Sequence, residues 1–436
     1  MKLTKYTRRQ FCRFVIEAKT PLAVGSGLQD ILTDALVAVD VNGLPYIPAT
    51  SIAGVIRHNL DASEADALMG YQENDKGEGS KIIFTEARII NSQGKVVDGL
   101  KDDVFNDAVL KYYEDLPIRQ HVRINAKGAT DRGGKFDNQV VYAGTRFCFE
   151  IEMLMTEDDD NKCNEILGIM QGDTFRLGGG TRNGLGKIEV VELYKKELDM
   201  KSKEDMELYL SKPSELAESA QWPGWESDTM PEAEMKSLTK YKLTLTPADF
   251  VMFGSGFGDD TADMIAVKEN KVEWQEGKGK VVTNMTLIPA SSVKGALRHR
   301  VAYHYNRLAC TRQVENDNLA VRELFGYEDQ KSRKQACGNL LFSDVLLEEL
   351  DSKVITHVKI DRFTGGATDG ALFDEAPLYA RGKTFTLEIV LLKKDEELSE
   401  FVKEALECAL DDICKGMLPL GGHTNRGHGI FTGTRN

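Results

Sequence analysis

The 436 residues contain no run of about eighteen apolar residues, so no membrane-spanning helix is expected and no membrane partner. The opening MKLTKYTRRQ has no apolar core, and no signal peptide is expected there. Seven cysteines (Cys12, Cys148, Cys163, Cys310, Cys337, Cys408, Cys414) include no Cys-x-x-Cys pair. They read as reduced, mostly buried thiols of a cytoplasmic protein, not as zinc ligands or a disulfide framework. The chain also lacks the Gly-Lys-Ser/Thr end of a P-loop. Its glycine loops precede strands, where a dinucleotide fold requires a helix. Basic charge is in deficit, with 55 Lys and Arg against 69 Asp and Glu and a net charge of −14. That balance would argue against a polyanionic partner, but it is uneven. Residues 195–235 hold eleven acids and five bases, and residues 395–412 hold eight acids and one base. These stretches carry −6 and −7, which leaves the remainder close to neutral. Both runs read as solvated faces, and a basic groove elsewhere stays open.

What is present is a repeat. Gly25-Ser26-Gly27 is followed by Asp34 and Gly254-Ser255-Gly256 by Asp263, the aspartate seven positions after the last glycine in each case. Five further pairs follow in the same order. Leu44 to His58 matches Leu287 to His299, and Leu68-Met69-Gly70-Tyr71 matches Leu324-Phe325-Gly326-Tyr327. Ile83 to Glu86 matches Leu341 to Asp344, and His121 to Asn125 matches His357 to Asp361. Leu177 to Gly186 matches Leu420 to Gly429. The period is too long for a solenoid, so two related domains are expected, over 1–194 and 239–436. Each reads β-α-β-β-α-β, an α+β, ferredoxin-like or RRM-type plan with both helices on one face of an antiparallel sheet. Thr50 or Ser51, and Ser291 or Ser292, are the helix N-cap candidates. Residues 195–238 read as an acidic linker with a short helix near 203–210, docked through Trp222 and Trp225. Twelve extra residues between Asp263 and Pro289 predict a polar hairpin over 268–280.

Four features could meet a phosphate backbone. The late glycine loops combine bare backbone (Gly179, Gly422) with Arg182 and Arg426. The helix after Pro48 or Pro289 offers free N–H groups near Ser51 and Ser292, with Arg57 in one copy and Lys294 and Arg298 in the other. Polar, glycine-rich stretches containing Arg123, Lys359 and Arg362 read as protruding hairpins. The GSG loops (Gly25, Gly27, Gly254, Gly256) carry Asp34 and Asp263. A loop aspartate is often only a turn former. Beside phosphate-binding loops it could instead hold a divalent cation or orient a ribose hydroxyl. The paired His58/His299 and His121/His357 read as structural.

Together these residues resemble the RAMP superfamily, specifically the Cas7-type backbone subunits of type III CRISPR effector complexes. The most specific stretches are Ile288 to Gly295, Ile360 to Ala367 with Ala371-Leu372-Phe373, and the two late glycine loops. Two such units in one chain are similar to the tandem Cas7-2x type of subtype III-D. The resemblance implies a subunit that binds crRNA and cuts complementary single-stranded target RNA at two sites. It further implies thumb hairpins matching roughly 125–137 and 361–375, and Asp34 and Asp263 as catalytic residues. A divalent cation, Mg²⁺ or Mn²⁺, would act at each aspartate. Implied partners are other Cas7-like, Cas10-like and Cas5-like subunits. The alternatives are a non-catalytic RNA-binding backbone, or a Cas6-type endoribonuclease that processes precursor crRNA. The tandem plan and the lack of a histidine acid/base set disfavour the last. The second unit is the more typical, with Lys294 where the first has Ala53 and Asp361-Arg362 where the first has Asn125-Ala126.

Overall fold

The computed structural model describes residues 6–29, 33–74, 76–125, 128–156, 162–230, 238–311, 317–329 and 333–436. Lys127 of the first expected thumb and Asp30 beside Asp34 lie outside the described residues.

The first unit contains β1 (Arg8–Ala18), α1 (Ala49–Asn59), β2 (Ile82–Phe84), β3 (Ile118–Ile124), β4 (Thr130–Gln139), β5 (Arg146–Met155), α2 (Lys162–Gln171) and β6 (Ile188–Asp199). Two further elements, α3 (Lys203–Leu210) and β7 (Glu226–Asp228), follow it. The second contains β8 (Thr239–Pro247), β9 (Lys268–Gln275), β10 (Lys278–Ile288), α4 (Ala290–Leu308), β11 (Leu340–Phe342), β12 (Ile355–Ile360), β13 (Ala367–Ala376), β14 (Phe385–Leu391), α5 (Val402–Cys414) and β15 (Phe431–Arg435). Strand order is β7-β6-β1-β5-β2 in one sheet and β11-β14-β8-β15 in the other. Without β7 these are the same antiparallel order, the ferredoxin-like arrangement twice, as the repeat predicts.

Alternation along the strands sorts the side chains. On β1, Cys12, Phe14 and Ile16 enter the core beneath the helices, facing Phe147, Phe149 and Ile151 of β5. Phe14 and Phe149 stack with centroids 4.9 Å apart. Cys12 and Cys163 share a thiol hydrogen bond in this core, and Cys148 and Cys414 are also buried, whereas Cys310 and Cys337 are exposed.

The other face of the first sheet is not solvated, and the reason corrects the reading of 195–238 as a linker between domains. Strand β6 runs on to Asp199, so a boundary at 194 falls inside it, and β7 pairs with β6 as an added edge strand. The helix expected near 203–210 is α3. Trp222 is buried against Phe11 and Leu198. Glu150 projects to this face and is buried with Arg13 at 2.6 Å, Lys212 at 2.5 Å and Ser219 at 2.7 Å. A buried carboxylate without those partners would cost several kcal/mol, so the 195–228 segment belongs structurally to the first unit.

The helix caps also differ from expectation. Pro48 and Pro289 occupy the N-cap positions and no side chain caps either helix from there. Proline fixes φ at a value suited to entering a helix, and the serines after it lie inside the first turn. The N–H of Ala290 instead donates to Asp344 Oδ1 at 2.8 Å.

Candidate functional site

The expected hairpins are present. Strands β3 and β4 form one two-stranded ribbon, and β12 and β13 form the other, with Met264–Ile265 paired parallel to Glu375 and Ala376 at its base. A lone ribbon cannot bury its own side chains, and Ile124, Phe136, Ile360, Phe363 and Leu372 stay exposed. Phe363 is 83% exposed, with the Arg362 guanidinium 4.8 Å over its ring. His121 stacks on Phe136 at 4.9 Å and His357 on Phe373 at 5.0 Å. The paired histidines thus have a structural task in each ribbon.

Each loop aspartate sits at the root of its ribbon. Asp34 Oδ2 accepts the N–H of Asp137 at 3.1 Å, and Asp137 Oδ1 accepts the N–H of Asp34 at 2.8 Å. In the second unit, Asp263 Oδ2 accepts the N–H of Asp374 at 2.9 Å. The fold therefore joins two aspartates in each copy: Asp34 with Asp137, and Asp263 with Asp374. The sequence reading missed the second member. Its signal was the matched dipeptide Phe136-Asp137 and Phe373-Asp374. Asp34 and Asp263 are exposed, while Asp374 Oδ1 is buried and makes no hydrogen bond. In the second unit, two carboxylates with a spare buried oxygen fit the oxygen ligands that Mg²⁺ or Mn²⁺ prefers; in the first, Asp137 accepts from Asp34 N–H and from Gln120 Nε2.

The phosphate-binding expectations need correction. The N–H groups of Gly179 and Gly422 are committed to the carbonyls of Ala23 at 2.7 Å and Met252 at 2.6 Å. Gly178 (φ +82°) and Gly421 (φ +97°) are required because a Cβ would strike those same carbonyls. The late loops are thus first of all tight closures against the strand end. Arg182 donates to Gly338 O at 2.7 Å, and Arg426 meets Glu375 Oε2 at 3.1 Å. Arg426 is thus paired with a carboxylate, whereas Arg182 gives up one donor to a neutral carbonyl and keeps its charge. In the GSG loops, Ser26 and Ser255 donate their N–H groups to Leu36 and Ile265, and Gly27 and Gly256 adopt positive φ. Arg57 is bound to Gly70 O at 2.8 Å and Asp66 at 2.5 Å, which ties α1 to the following helix. At the second helix the nearest anion is the chain's own Asp344, although Ser292 is exposed.

What the fold does assemble is a basic seam between the units. Lys294 donates to Asn183 Oδ1 at 2.8 Å, and its ammonium is pushed down to about 8 by burial, with repulsion from Arg182 and Arg298. Arg298 is lowered by burial, opposed by the Asp317 charge, and repelled by Arg123 at the first ribbon. Residues predicted separately from two copies thus meet in one place. Ser51 stays at its own helix start, and Lys359 and Arg362 lie on the exposed second ribbon.

The same seam is locked by Arg119, which the sequence did not single out. It is buried between Glu269, at 2.5 and 2.7 Å, and Asp344, at 2.5 Å. Burial alone would lower its affinity for the proton, but the two carboxylates outweigh that and raise it. Gly184 (φ +111°) lies so close to the second unit that a Cβ would fall on Asp344 Oδ1 and Ala290 Cβ. The predicted hairpin over 268–280 is β9 and β10. Its Val272 donates to Ala143 O at 2.8 Å and its Trp274 to Gly144 O at 2.7 Å. Beside this contact runs a cleft of about 490 Å³, lined by Arg119, Gln120 and His121 of one unit and Gly254, Ser255, Phe257 and Ser292 of the other.

The description of the RAMP superfamily matches residues 15–189 and 244–432, once in each unit. Among curated proteins, the CRISPR system Cms endoribonuclease Csm3 of Streptococcus thermophilus is 30% identical over 155 residues, which is 34% of this chain and 69% of that protein. Csm3 of Methanocaldococcus jannaschii is 29% identical over 196 residues, 40% of this chain and 75% of that protein. Among the described residues, no helix is long and apolar enough to cross a membrane.

Proposed function

The chain belongs to the RAMP superfamily, and we propose on that premise that it is a Cas7-like backbone subunit of a type III CRISPR effector, of the tandem subtype III-D kind. In this reading it holds crRNA and cuts bound target RNA at two sites, one per unit. The observation that carries the reading is the recurrence of one arrangement, Asp34 with Asp137 and Asp263 with Asp374, at the root of both ribbons. The similarity to the two Csm3 endoribonucleases supports cleavage as the activity.

Each ribbon carries exposed apolar side chains that can enter a base stack and break it. Phe363, with Arg362 over its face, suits a base on one side and a phosphate on the other. An interrupted stack lets the sugar-phosphate backbone bend, which brings a ribose 2′-oxygen in line with its own phosphorus. Attack by that oxygen forms a 2′,3′-cyclic phosphate and breaks the bond to the 5′-oxygen, which leaves as an alkoxide and takes its proton from water. The exposed carboxylates of Asp34 and Asp263 would take the 2′-hydroxyl proton. A divalent cation, which Asp34 with Asp137 and Asp263 with Asp374 would hold, supplies charge neutralisation at the phosphate. The seam residues Lys294, Arg298 and Arg123 supply backbone contacts between the two cutting positions. Since the chain is acidic overall, crRNA binding draws on neighbouring Cas7-like, Cas10-like and Cas5-like subunits.

A second reading, a non-catalytic backbone, draws on the fact that Asp34 and Asp263 also cap backbone N–H groups. Reconstitution with crRNA, Mg²⁺ and a labelled complementary RNA separates the two. Cutting at two positions is expected, along with no cutting at either position when its 2′-hydroxyl is replaced by hydrogen. A target that is bound and left intact supports the non-catalytic reading.

A further inference from the structure

The second unit has a cluster at its ribbon root that the first lacks. Glu375 of β13 is fully buried, and three imidazoles converge on its carboxylate. His357 Nε2 lies 2.8 Å and His428 Nε2 3.0 Å from Oε1. His423 Nδ1 abuts Oε2. The ligating atoms of Glu375, His423 and His428 lie within 4.8 Å of one another. Among the described residues, this is the one group of three or more such side chains to converge so closely.

Aligning the copies on His121 and His357, and on the late loops, shows that the fold does not need these residues. The first unit has Asn138 at the place of Glu375, where it serves His121 at 2.7 Å as a neutral partner. It has Gly180 for His423 and Leu185 for His428. The exchange at 423 is made against the backbone's preference. Gly180 has φ +68° and His423 φ +54°. His423 thus keeps a side chain in the left-handed region where the first unit uses glycine, a feature often found at functional positions.

Arg426 Nη1 lies 3.1 Å from the same carboxylate. We propose that Glu375, His423 and His428 form a binding site for a transition-metal ion of the Zn²⁺ class in the second unit alone, with His357 orienting the carboxylate from behind. Two nitrogens and one oxygen suit Zn²⁺ with its fourth position left to water. They do not suit Mg²⁺, which prefers oxygen and keeps its water. The site is therefore distinct in chemistry from the carboxylate pair of Asp263 and Asp374, although Asp374 and Glu375 are chain neighbours. A metal there pins β13 to the late glycine loop and fixes the ribbon root from behind. Arg426, which is exposed, stays as a hydrogen-bond donor to the ligating carboxylate from the open side.

The test uses the full chain, stripped with chelator, then exposed to Zn²⁺ and passed through a desalting column. One equivalent of zinc is expected by elemental analysis. Co²⁺ in its place should give the visible absorption of a low-coordinate nitrogen and oxygen site without thiolate charge transfer, which separates it from the seven cysteines. A chain carrying the first unit's residues, His423→Gly with His428→Leu, should retain none while keeping the circular dichroism of the parent. His428→Gln, a milder change, should weaken retention at least tenfold. Failure of the stripped parent to take up zinc overturns the proposal, as does thiolate charge transfer with Co²⁺, or undiminished uptake in both variants.

Discussion

The two units share a plan and differ in what lies against it. In the first, the ribbon root is closed by the second unit, since Arg119 reaches Glu269 and Asp344 and Gly184 packs on Ala290. In the second, the position of Arg119 is taken by Ile355, and the root instead holds the buried Glu375 with three histidines. The aspartate pairs are common to both. The lesson is that the parts two copies keep alike mark the shared chemistry, and the parts that diverge record the neighbour each copy has. An acidic chain can then still serve RNA, because its basic residues gather at the seam where Lys294, Arg298, Arg182 and Arg123 meet.

The comparison can be broken in order of effect. Asp137→Ala and Asp374→Ala should each slow one cut on the order of 10²–10⁴-fold, the range for loss of a positioned acid-base or ion-holding group, read as single-turnover rates in the assembled complex. Equal slowing of both cuts by either change would deny that the pairs act separately. Arg119→Ala strands two buried carboxylates and should destabilise the seam by about 3–5 kcal/mol, measured by urea denaturation, whereas Ile355→Ala in the second unit should leave the seam intact. Trp222→Ala should cost about 3–5 kcal/mol, because Trp222 is buried on the first sheet. A loss under about 1 kcal/mol would return 195–228 to the status of a linker.

Lys294 gives a pH test with a defined sign. Its charge is present below about pH 8 and lost above it, so crRNA affinity should fall as pH rises through that value. Lys294→Ala should abolish that pH dependence and reduce the salt slope of binding by about one. The first unit, with Ala53 at that place, contributes no such step. The smallest effects belong to Ser51→Ala and Ser292→Ala, each within about 0.5 kcal/mol in thermal unfolding, since neither caps its helix.

The repeat made the fold legible. Anchors in one order fixed two β-α-β-β-α-β units. What lies on the outer face of β5 could not be read from the strand itself: the segment after β6 covers Glu150, while Ile90 and Trp274 pack near Cys148. A covering segment leaves no period in the strand it covers. The late glycine loops read from sequence as phosphate-contacting backbone, but which N–H groups remain free depends on partners such as Ala23 and Met252, far away in sequence. Asp34 and Asp263 were visible through equal spacing. Their partners Asp137 and Asp374 were not, because the link is made by folding the ribbon back onto the loop. The joining of Lys294 to Asn183 follows from the contact between units, which no single repeat encodes.

The most direct measurement is a product map of target RNA cut by complexes carrying Asp34→Ala or Asp263→Ala alone. Two equivalent and separate centres predict that each change erases one cut, a different one in each complex, and leaves the other at the parent rate. Persistence of both cuts in both complexes would contradict the account, as would loss of both cuts from either single change.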